Sequence, residues 1–225
     1  MIKMVVFDMA GTTVNENNVV YKTVHKAITE AGYTVSFEQV LANGAGKEKL
    51  QAIKDILRID LGVEDEQIAK AIHKNFVAQL AEAYANLDVQ PEDGAEEVFA
   101  ALKEQDIYVV LNTGYDAKTA GSLLAKLGWE EGKQIDLLVT ASDVPNNRPK
   151  PDMIHYAMED FRLTEGAEVA KVGDSAIDIE EGQNAGCGLS IGITTGAHTR
   201  EQLEAVNPDY IINNLRELLD IVIRA

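Results

Sequence analysis

Short apolar runs alternate with amphipathic segments along most of this chain, and this alternation constrains the fold more than any other feature. Most of the runs lack alternating polar residues, which is typical of strands buried on both faces of a parallel sheet. They lie at residues 4–7, 107–111, 137–139, 169–172, 189–193 and 210–212. Apolar spacings of three and four predict helices at residues 94–105, 116–127, 151–161, 178–185, 199–206 and 214–223. We therefore expect an α/β fold: a doubly wound, Rossmann-like parallel sheet with right-handed crossovers.

The stretch from residue 15 to residue 90 interrupts this alternation. It contains no convincing strand, and Pro91 and Gly94 mark the return to the alternating pattern. Four helical patterns follow one another there, at about residues 20–31, 36–41, 47–57 and 65–87. We expect an all-helical cap domain of residues 15–90, inserted into an α/β core domain of residues 1–14 and 91–225. Interfaces between domains are frequent ligand sites.

Charge and cysteine content exclude several classes of function. The 225 residues include 20 Lys and Arg against 37 Asp and Glu, a formal net charge of −17. Such a surface repels phosphate backbones, so we do not expect nucleic acid as a partner. A single cysteine, Cys187, allows no disulfide within the chain. No apolar run has the length of a signal peptide or a membrane span, so we expect a cytoplasmic protein with no membrane partner.

Polar residues gather where the predicted strands end. Ligands of open parallel sheets bind beyond the carboxyl ends of the strands. The residues expected there are Asp8 with the following Ala10, Thr113 with Gly114, Arg148, and Asp174 with Asp178. Each residue type alone is also typical of an ordinary turn or helix cap. Their joint occurrence at four successive strands favours a site.

The residue types at these strand ends indicate phosphoryl chemistry. A carboxylate such as Asp8 is a possible nucleophile. Asp8 and Asp174, with a backbone carbonyl, offer the oxygen ligands that Mg²⁺ prefers. Thr113 and the amides near Gly114 can donate to phosphoryl oxygens, and Arg148 offers a planar fork of donors.

These motifs, in this order, resemble the haloacid dehalogenase superfamily of aspartate-nucleophile hydrolases, and the helical segment resembles its small helical cap. The resemblance implies a hydrolase that transfers a phosphoryl group from a small phosphorylated or phosphonylated metabolite to Asp8 and then to water. It implies that Thr113 and Arg148 hold that group. It implies Mg²⁺ as cofactor, bound by Asp8, the Ala10 carbonyl and Asp174, with Asp178 in the first or second coordination shell.

Within the superfamily, the sequence is similar to the phosphonatases (phosphonoacetaldehyde hydrolases) and their relatives. Ala10 occupies the position where phosphatases usually carry an acid that protonates the leaving oxygen, and alanine transfers no proton. Arg148 stands where most members have lysine. The segment at residues 192–198 resembles the loop after the fifth strand of phosphonatases.

Lys49 is the candidate that this branch adds. Phosphonatases form a Schiff base through a cap lysine three residues after a glycine, as Lys49 follows Gly46. On a helix Lys49 shares a face with Leu50, Ile53, Ile56 and Leu57. A desolvated lysine is a better nucleophile, although a lysine at the edge of an apolar stripe often extends to solvent instead. Thr113, Gly114, Arg148 and Lys49 are thus the candidate substrate-binding residues.

Several alternatives stay open from the residues alone. Gly44, Ala45 and Ala52 replace the Pro-Met pair and the histidine of phosphonatases, so the sequence favours another substrate over phosphonoacetaldehyde. Phosphonoacetaldehyde hydrolysis through Lys49, 2-haloacid dehalogenation and a non-catalytic phosphate-binding module are the alternatives. His198 is a further candidate for the leaving-group acid. The resemblance implies a homodimer.

Overall fold

The computed structural model describes residues 1–223, so the last two residues of the predicted core segment 91–225 lie outside the described residues. Six strands form one sheet, in the order β5–β4–β1–β6–β7–β8, and two short strands, β2 and β3, form a separate pair. The strands are β1 (Met4–Asp8), β2 (Val14–Asn15), β3 (Gln90–Pro91), β4 (Tyr108–Thr113), β5 (Leu137–Thr140), β6 (Val169–Gly173), β7 (Leu189–Ile193) and β8 (Tyr210–Ile212).

Strand β1 lies at the centre of the six-stranded sheet. It pairs in parallel with β4 on one side and with β6 on the other. The chain adds β4 and β5 outward on the first side, then returns to add β6, β7 and β8 on the second. This reversal creates a crevice at the carboxyl end of β1, where Asp8 stands opposite Asn112. The predicted doubly wound α/β fold is confirmed.

Ten α-helices accompany the strands, each within about one turn of its predicted ends. Four of them lie between β2 and β3: α1 (Val19–Glu30), α2 (Phe37–Gly44), α3 (Lys49–Leu61) and α4 (Glu66–Asn86). The other six are α5 (Ala95–Lys103), α6 (Ala117–Leu127), α7 (Asp152–Asp160), α8 (Ala176–Asn184), α9 (Arg200–Glu204) and α10 (Glu217–Val222). Within the described part of the chain, no helix is long and apolar enough to cross a membrane.

Local hydrogen bonds define the ends of the helices between β2 and β3. Ser36 and Gln39 form a capping box at the start of α2. The Glu48 and Asp65 carboxylates accept backbone N–H donors at the starts of α3 and α4. Helix α1 packs against α2 and α4, and α3 against α2 and α4. The predicted cap domain of residues 15–90 stays a prediction.

The β2–β3 pair was missed from the sequence. Its register joins Val14 to Pro91 and Asn15 to Gln90, so it links the two crossings between the sheet and the helices. Two residues are too few for a periodic pattern to indicate a strand. The pair coincides with the two domain borders predicted from the sequence.

Apolar packing on both faces holds the sheet. Val5 and Phe7 of β1 join a large cluster that includes residues of α1–α4, whereas Met4 and Val6 face a smaller cluster with Met153 of α7. Side chains alternate between the two faces along a strand, so the strand must be apolar throughout. Each large buried side chain contributes about 1.5–3 kcal/mol.

Candidate active site

Asp8, the last residue of β1, stands at the centre of a buried polar cluster. Only 5% of its surface is exposed. The Arg148 guanidinium reaches it from the loop after β5, with Nη1 2.6 Å from Asp8 Oδ1. Burial raises the pKa of Asp8, which Asp178 also raises and Arg148 lowers. The structure thus brings together two residues 140 positions apart in sequence.

Arg148 has a hydrogen-bond partner at each nitrogen of its guanidinium. Its Nε donates to Glu181 Oε2 at 2.9 Å. Its Nη2 donates to Asn112 Oδ1 at 2.6 Å and to the Asn112 carbonyl at 2.9 Å. The fork is fixed before any substrate binds, and one edge points to Asp8. Such planar, multidentate fixation is the geometry that arginine provides and lysine does not.

Asp8, Asp174 and Asp178 form a cluster of three buried carboxylates, in which one oxygen of each lies within 4.8 Å of the others. Burial and the neighbouring Asp8 and Asp178 raise the pKa of Asp174 well above its ordinary value. Asp174 Oδ2 accepts from the Ala197 amide at 2.6 Å. Among residues 1–223, its buried Oδ1 has no hydrogen-bond partner.

A divalent cation fits this donor set. Arg148 and Lys171 form ion pairs with Asp8, Asp178 and the nearby Glu181, and Asp174 adds a fourth carboxylate that neither cation pairs. The unpartnered Asp174 oxygen and the surplus of carboxylates are what a hard, oxygen-loving cation such as Mg²⁺ would satisfy. Ala10, predicted to add its carbonyl, is buried two residues beyond Asp8.

Asp178 differs from the other two carboxylates because it faces two cations. Its Oδ1 lies 2.8 Å from both Arg148 Nη1 and Lys171 Nζ, and its Oδ2 accepts from the Ser175 hydroxyl at 2.5 Å. Burial acts to raise the pKa of Asp178, but Arg148 and Lys171 hold it below its ordinary value. These contacts favour a role for Asp178 behind the carboxylates that would bind a cation, Asp8 and Asp174, rather than as a ligand itself.

Two residues of this network, Lys171 and Glu181, escaped the sequence analysis. Lys171 points into it from β6 with no surface exposed, and its Nζ donates to Asn112 Oδ1 at 2.8 Å. Glu181 is equally buried, and both its oxygens accept from Asn112 Nδ2. A lysine within a strand buried on both faces was the available signal, since such a charge must be paired.

Thr113 and Gly114 lie at the end of β4, beside the loop at residues 45–48 that joins α2 to α3. Thr113 is buried, and its hydroxyl accepts from the Tyr115 amide at 3.2 Å. A side chain at Gly114 would lie 2.7 Å from the Lys47 carbonyl oxygen. Gly114 therefore lets this loop rest on the buried polar cluster, where the Gly46 carbonyl accepts from Arg148 Nη1 at 3.3 Å.

Lys49 begins α3 directly after that loop, and only 7% of it is exposed. Its Nζ donates to the Lys47 carbonyl at 2.5 Å and lies 5.7 Å from the ring centre of Tyr21. Burial lowers the pKa of Lys49 to about 8, although the negative charge of Asp8 acts to raise it. The side chain does not extend to solvent. The structure thus places all the candidate side chains in one buried region.

A hydrogen-bonded chain of three buried residues lies next to Lys49. Tyr84 of α4 donates to Glu16 Oε2 at 3.2 Å, and the hydroxyls of Tyr84 and Tyr115 are 2.8 Å apart. Burial raises the pKa of Glu16, and the positive charge of Lys49 acts in the opposite direction. The chain connects the start of the helical segment with the end of β4. Nothing in the sequence spacing indicated it.

His198 links α2, in the helical segment, to the start of α8 instead of facing Asp8. Its Nδ1 accepts from the Ala176 amide at 3.0 Å, and its Nε2 lies 3.2 Å from the Leu41 carbonyl oxygen. Both contacts are satisfied by the neutral ring with its proton on Nε2. Burial lowers the pKa of His198, which fits that form. With both nitrogens engaged, His198 has no proton free for a leaving group.

Comparisons with known proteins agree with this geometry. A family model described as haloacid dehalogenase-like hydrolase matches residues 5–208. A phosphonoacetaldehyde hydrolase of Parabacteroides distasonis is 32% identical over 215 residues, covering 88% of this chain and 78% of the relative. A phosphoglycolate phosphatase of Vibrio parahaemolyticus is 28% identical over 227 residues, covering 98% of this chain and 96% of the relative.

A solved structure shows the same fold. The crystal structure of a phosphonoacetaldehyde hydrolase-like protein from Oleispira antarctica matches with a TM-score of 0.84 at 22% identity, covering 99% of this chain and 92% of that one. The family model and the 32% identical relative confirm, at the level of the family, the resemblance found in the strand-end motifs. This chain belongs to the haloacid dehalogenase-like hydrolases.

Proposed function

We propose that the protein is a Mg²⁺-dependent phosphohydrolase that uses Asp8 as its nucleophile on a small phosphorylated or phosphonylated metabolite. The observation that carries this proposal is the fixed Arg148 fork, 2.6 Å from Asp8 Oδ1. A phosphoryl group attacked by Asp8 would meet a guanidinium already oriented toward its oxygens. Relatives named as a phosphatase and as a phosphonate hydrolase support this class of substrate.

In the proposed reaction an Asp8 oxygen attacks phosphorus, and the bond to the leaving group breaks with its electron pair. Arg148 and Thr113 hold the phosphoryl oxygens. Mg²⁺, bound by Asp8 and Asp174 with the Ala10 carbonyl, would offset the negative charge that otherwise repels the nucleophile. Water then attacks phosphorus, releases phosphate and restores the Asp8 carboxylate. The loop at residues 45–48 excludes bulk water during both steps.

Lys49 supports a second candidate, the cleavage of a C–P bond. Its neutral amine would attack the aldehyde of phosphonoacetaldehyde and lose water to form an imine. Protonation of that imine lets the C–P electron pair move to carbon as phosphorus transfers to Asp8, which leaves an enamine. Protonation and hydrolysis of the enamine return acetaldehyde and Lys49. The burial of Lys49 and its pKa of about 8 favour this candidate.

Lys49 also offers an answer to the missing acid at Ala10 when the substrate is a phosphate ester. With a pKa of about 8, its ammonium form predominates at pH 7. That ammonium would give its proton to the leaving oxygen and receive one back from the attacking water. The same buried lysine would thus assist cleavage of a C–P bond as a neutral amine and cleavage of a P–O bond as an ammonium ion.

Phosphate release tests the proposal. With Mg²⁺ present, we expect turnover of phosphonoacetaldehyde or of a member of a panel of small phosphate esters, phosphoglycolate included. Asp8→Asn should abolish turnover of every substrate, because an amide is no nucleophile. Lys49→Met should abolish phosphonoacetaldehyde turnover and slow ester turnover. A folded Asp8→Asn variant with an unchanged rate would overturn the nucleophile assignment.

Binding without turnover would favour the phosphate-binding module instead. Beryllium fluoride bound by the wild type, with no phosphate released from any substrate of the panel, is the outcome that would indicate it. The homodimer and the cytoplasmic location stay predictions.

A further inference from the structure

A large cavity lies next to the proposed active site, against Lys49 and Gly114. Its volume is about 560 Å³, and α4 and α6 form its walls. Lys49, Gly114 and Tyr115 line its inner end. Among the described residues, the lining includes none of Asp8, Arg148 and Asp174. Two candidate substrate-binding residues, Lys49 and Gly114, thus belong to the cavity wall, whereas the residues proposed to act on phosphorus do not.

Several of the polar groups that line this cavity are already used by the fold. Glu48 accepts the backbone amides at the start of α3, and Asp116 accepts the Thr119 amide at the start of α6. Lys126 donates to the Leu87 carbonyl at 2.8 Å. Groups with satisfied hydrogen bonds gain little from a ligand. A ligand here would gain mainly from apolar contact.

Helix α4 provides that apolar contact. Phe76, Leu80 and Tyr84 line the cavity from successive turns, together with Ala81 and the exposed Val77. Val77 is 45% exposed and adds a further apolar side chain to the cavity wall. Cavities of about 300–1,000 Å³ hold ligands of drug size, so this one exceeds the needs of a two-carbon substrate.

We propose that the cavity binds an apolar carbon chain of the substrate, so that the substrate is a phosphonyl or phosphoryl compound with several carbon atoms beyond the group that meets Lys49. This inference rests on the proposed function, because the phosphoryl group must lie at Asp8 for the chain to pass Lys49. Because Lys49 and Gly114 line both the cavity and the proposed substrate site, we assign the occupant to the substrate itself.

Unreactive n-alkylphosphonates, from ethyl to octyl, test the inference by calorimetric titration with Mg²⁺ present. Their phosphonate takes the place of the substrate's phosphoryl group, and their chains probe the cavity without any turnover. We expect affinity to rise about fourfold per added methylene until the cavity is full, the gain for burying one methylene. Methylphosphonate and inorganic phosphate give the baseline for the catalytic centre alone.

Two alanines of α4 supply a matched pair of variants. Ala81 lines the cavity and Ala78 does not, and both are exposed, so phenylalanine at either position leaves the core untouched. Ala81→Phe should remove most of the gain with chain length and keep phosphate affinity unchanged. Ala78→Phe should behave as the wild type. Ser122→Phe, from the opposite wall, should repeat the effect, with the exposed Ala125→Phe as its control.

Affinity that does not change with chain length, or a gain that survives Ala81→Phe and Ser122→Phe, would overturn the inference and leave the proposed function standing. Equal weakening of all ligands by Ala81→Phe, phosphate included, would indicate an entry path and also overturn it. Failure of phosphate and of every phosphonate to bind the wild type would overturn the proposed function, and this inference with it.

Discussion

The Nζ atom of Lys49 lies 5.2 Å from the ring centre of Tyr115, which places a cation of the helical segment over an aromatic ring at the end of β4. Tyr115 is buried and its hydroxyl meets that of Tyr84 at 2.8 Å. The ring face attracts the ammonium but offers no acceptor that competes for its proton. Lys49 is thus held beside the catalytic centre in a dry environment that favours its neutral form.

The pH dependence of turnover should reveal which protonation state of Lys49 reacts. Burial lowers its pKa to about 8. A Schiff-base route needs the neutral amine, so the rate under kcat/KM conditions should rise tenfold per pH unit below 8 and level off above it. An ester route with Lys49 as acid needs the ammonium, so the rate should fall above pH 8. The rate of phosphate release between pH 6 and 10 shows whether turnover rises or falls with pH.

Two controls separate Lys49 from other titrating groups. Borohydride should trap a covalent adduct with phosphonoacetaldehyde in the wild type and not in Lys49→Arg, whose guanidinium stays charged. The pH profile of the residual ester turnover by Lys49→Met should be flat near pH 8. A profile that keeps its inflection in Lys49→Met would assign the titration to another group.

The free energy of unfolding should also depend on the protonation of Lys49. Between pH 8 and 10.5 the unfolded chain binds a proton at this position and the folded chain does not, so the free energy of unfolding rises with pH across that window. Below pH 8 the buried charge is a cost of roughly 3 kcal/mol, at about 1.4 kcal/mol per pKa unit. Chemical denaturation of the wild type and of Lys49→Met at pH 7 and pH 10 measures this cost. The difference in free energy of unfolding between the two proteins should be smaller at pH 10 than at pH 7.

Asp174→Asn should stabilise the metal-free protein and remove its response to Mg²⁺. Three buried carboxylates lie within 4.8 Å of one another, and Asp174 has an unpartnered oxygen among the described residues. Its pKa is raised above the unfolded value, so without metal it destabilises the fold as pH rises from about 4. The amide removes that charge, a gain of roughly 1–3 kcal/mol or about 3–10 °C in Tm.

Thermal unfolding with and without Mg²⁺ checks this prediction. Saturation at a hundred times Kd stabilises a protein by about 2.7 kcal/mol, so the wild type should show a shift of several degrees. Asp143→Asn is a suitable control, because Asp143 accepts its hydrogen bonds from Thr140, away from the cluster. An equal Mg²⁺ shift in wild type and Asp174→Asn would contradict a metal site at this carboxylate.

The sheet was predictable from the sequence because its strands are buried on both faces and are therefore apolar throughout. Asp8, Thr113 and Asp174 could be placed at strand ends for the same reason, since the carboxyl ends of parallel strands share one edge. Residues such as Glu181 could not be placed. Its position on α8 is exposed or buried depending on how the helix packs on β6, and no pattern within α8 reports on that packing. The structure buries Glu181 completely.

The position of Lys49 was predictable only in part. Helical periodicity put it on the apolar face of α3, and the structure agrees. The Tyr21 and Tyr115 rings around it come from α1 and from the end of β4, and no periodicity within one segment reports on contacts between segments. The same holds for the Glu16–Tyr84–Tyr115 chain, whose members lie 68 and 31 residues apart.

Gly46→Ala should disable the enzyme, whereas Gly62→Ala should not. Both glycines have positive φ, 71° and 65°, so alanine strains the backbone by a comparable 1–2 kcal/mol or so at each position. A methyl group at Gly62 would meet nothing within 4 Å. At Gly46 it would collide with the Ser175 hydroxyl and with Ile177. The loop at residues 45–48 would have to lift from Arg148.

A displacement of about 1 Å near a catalytic centre can cost a hundredfold in rate, so we expect kcat/KM of Gly46→Ala to fall by about that factor. Gly62→Ala should keep its kcat/KM within about twofold while losing a similar amount of stability. Phosphate-release kinetics and denaturation of both variants give the two readouts. If Gly46→Ala kept full activity, the contact of this loop with Ser175 and Arg148 would have no part in closing the site.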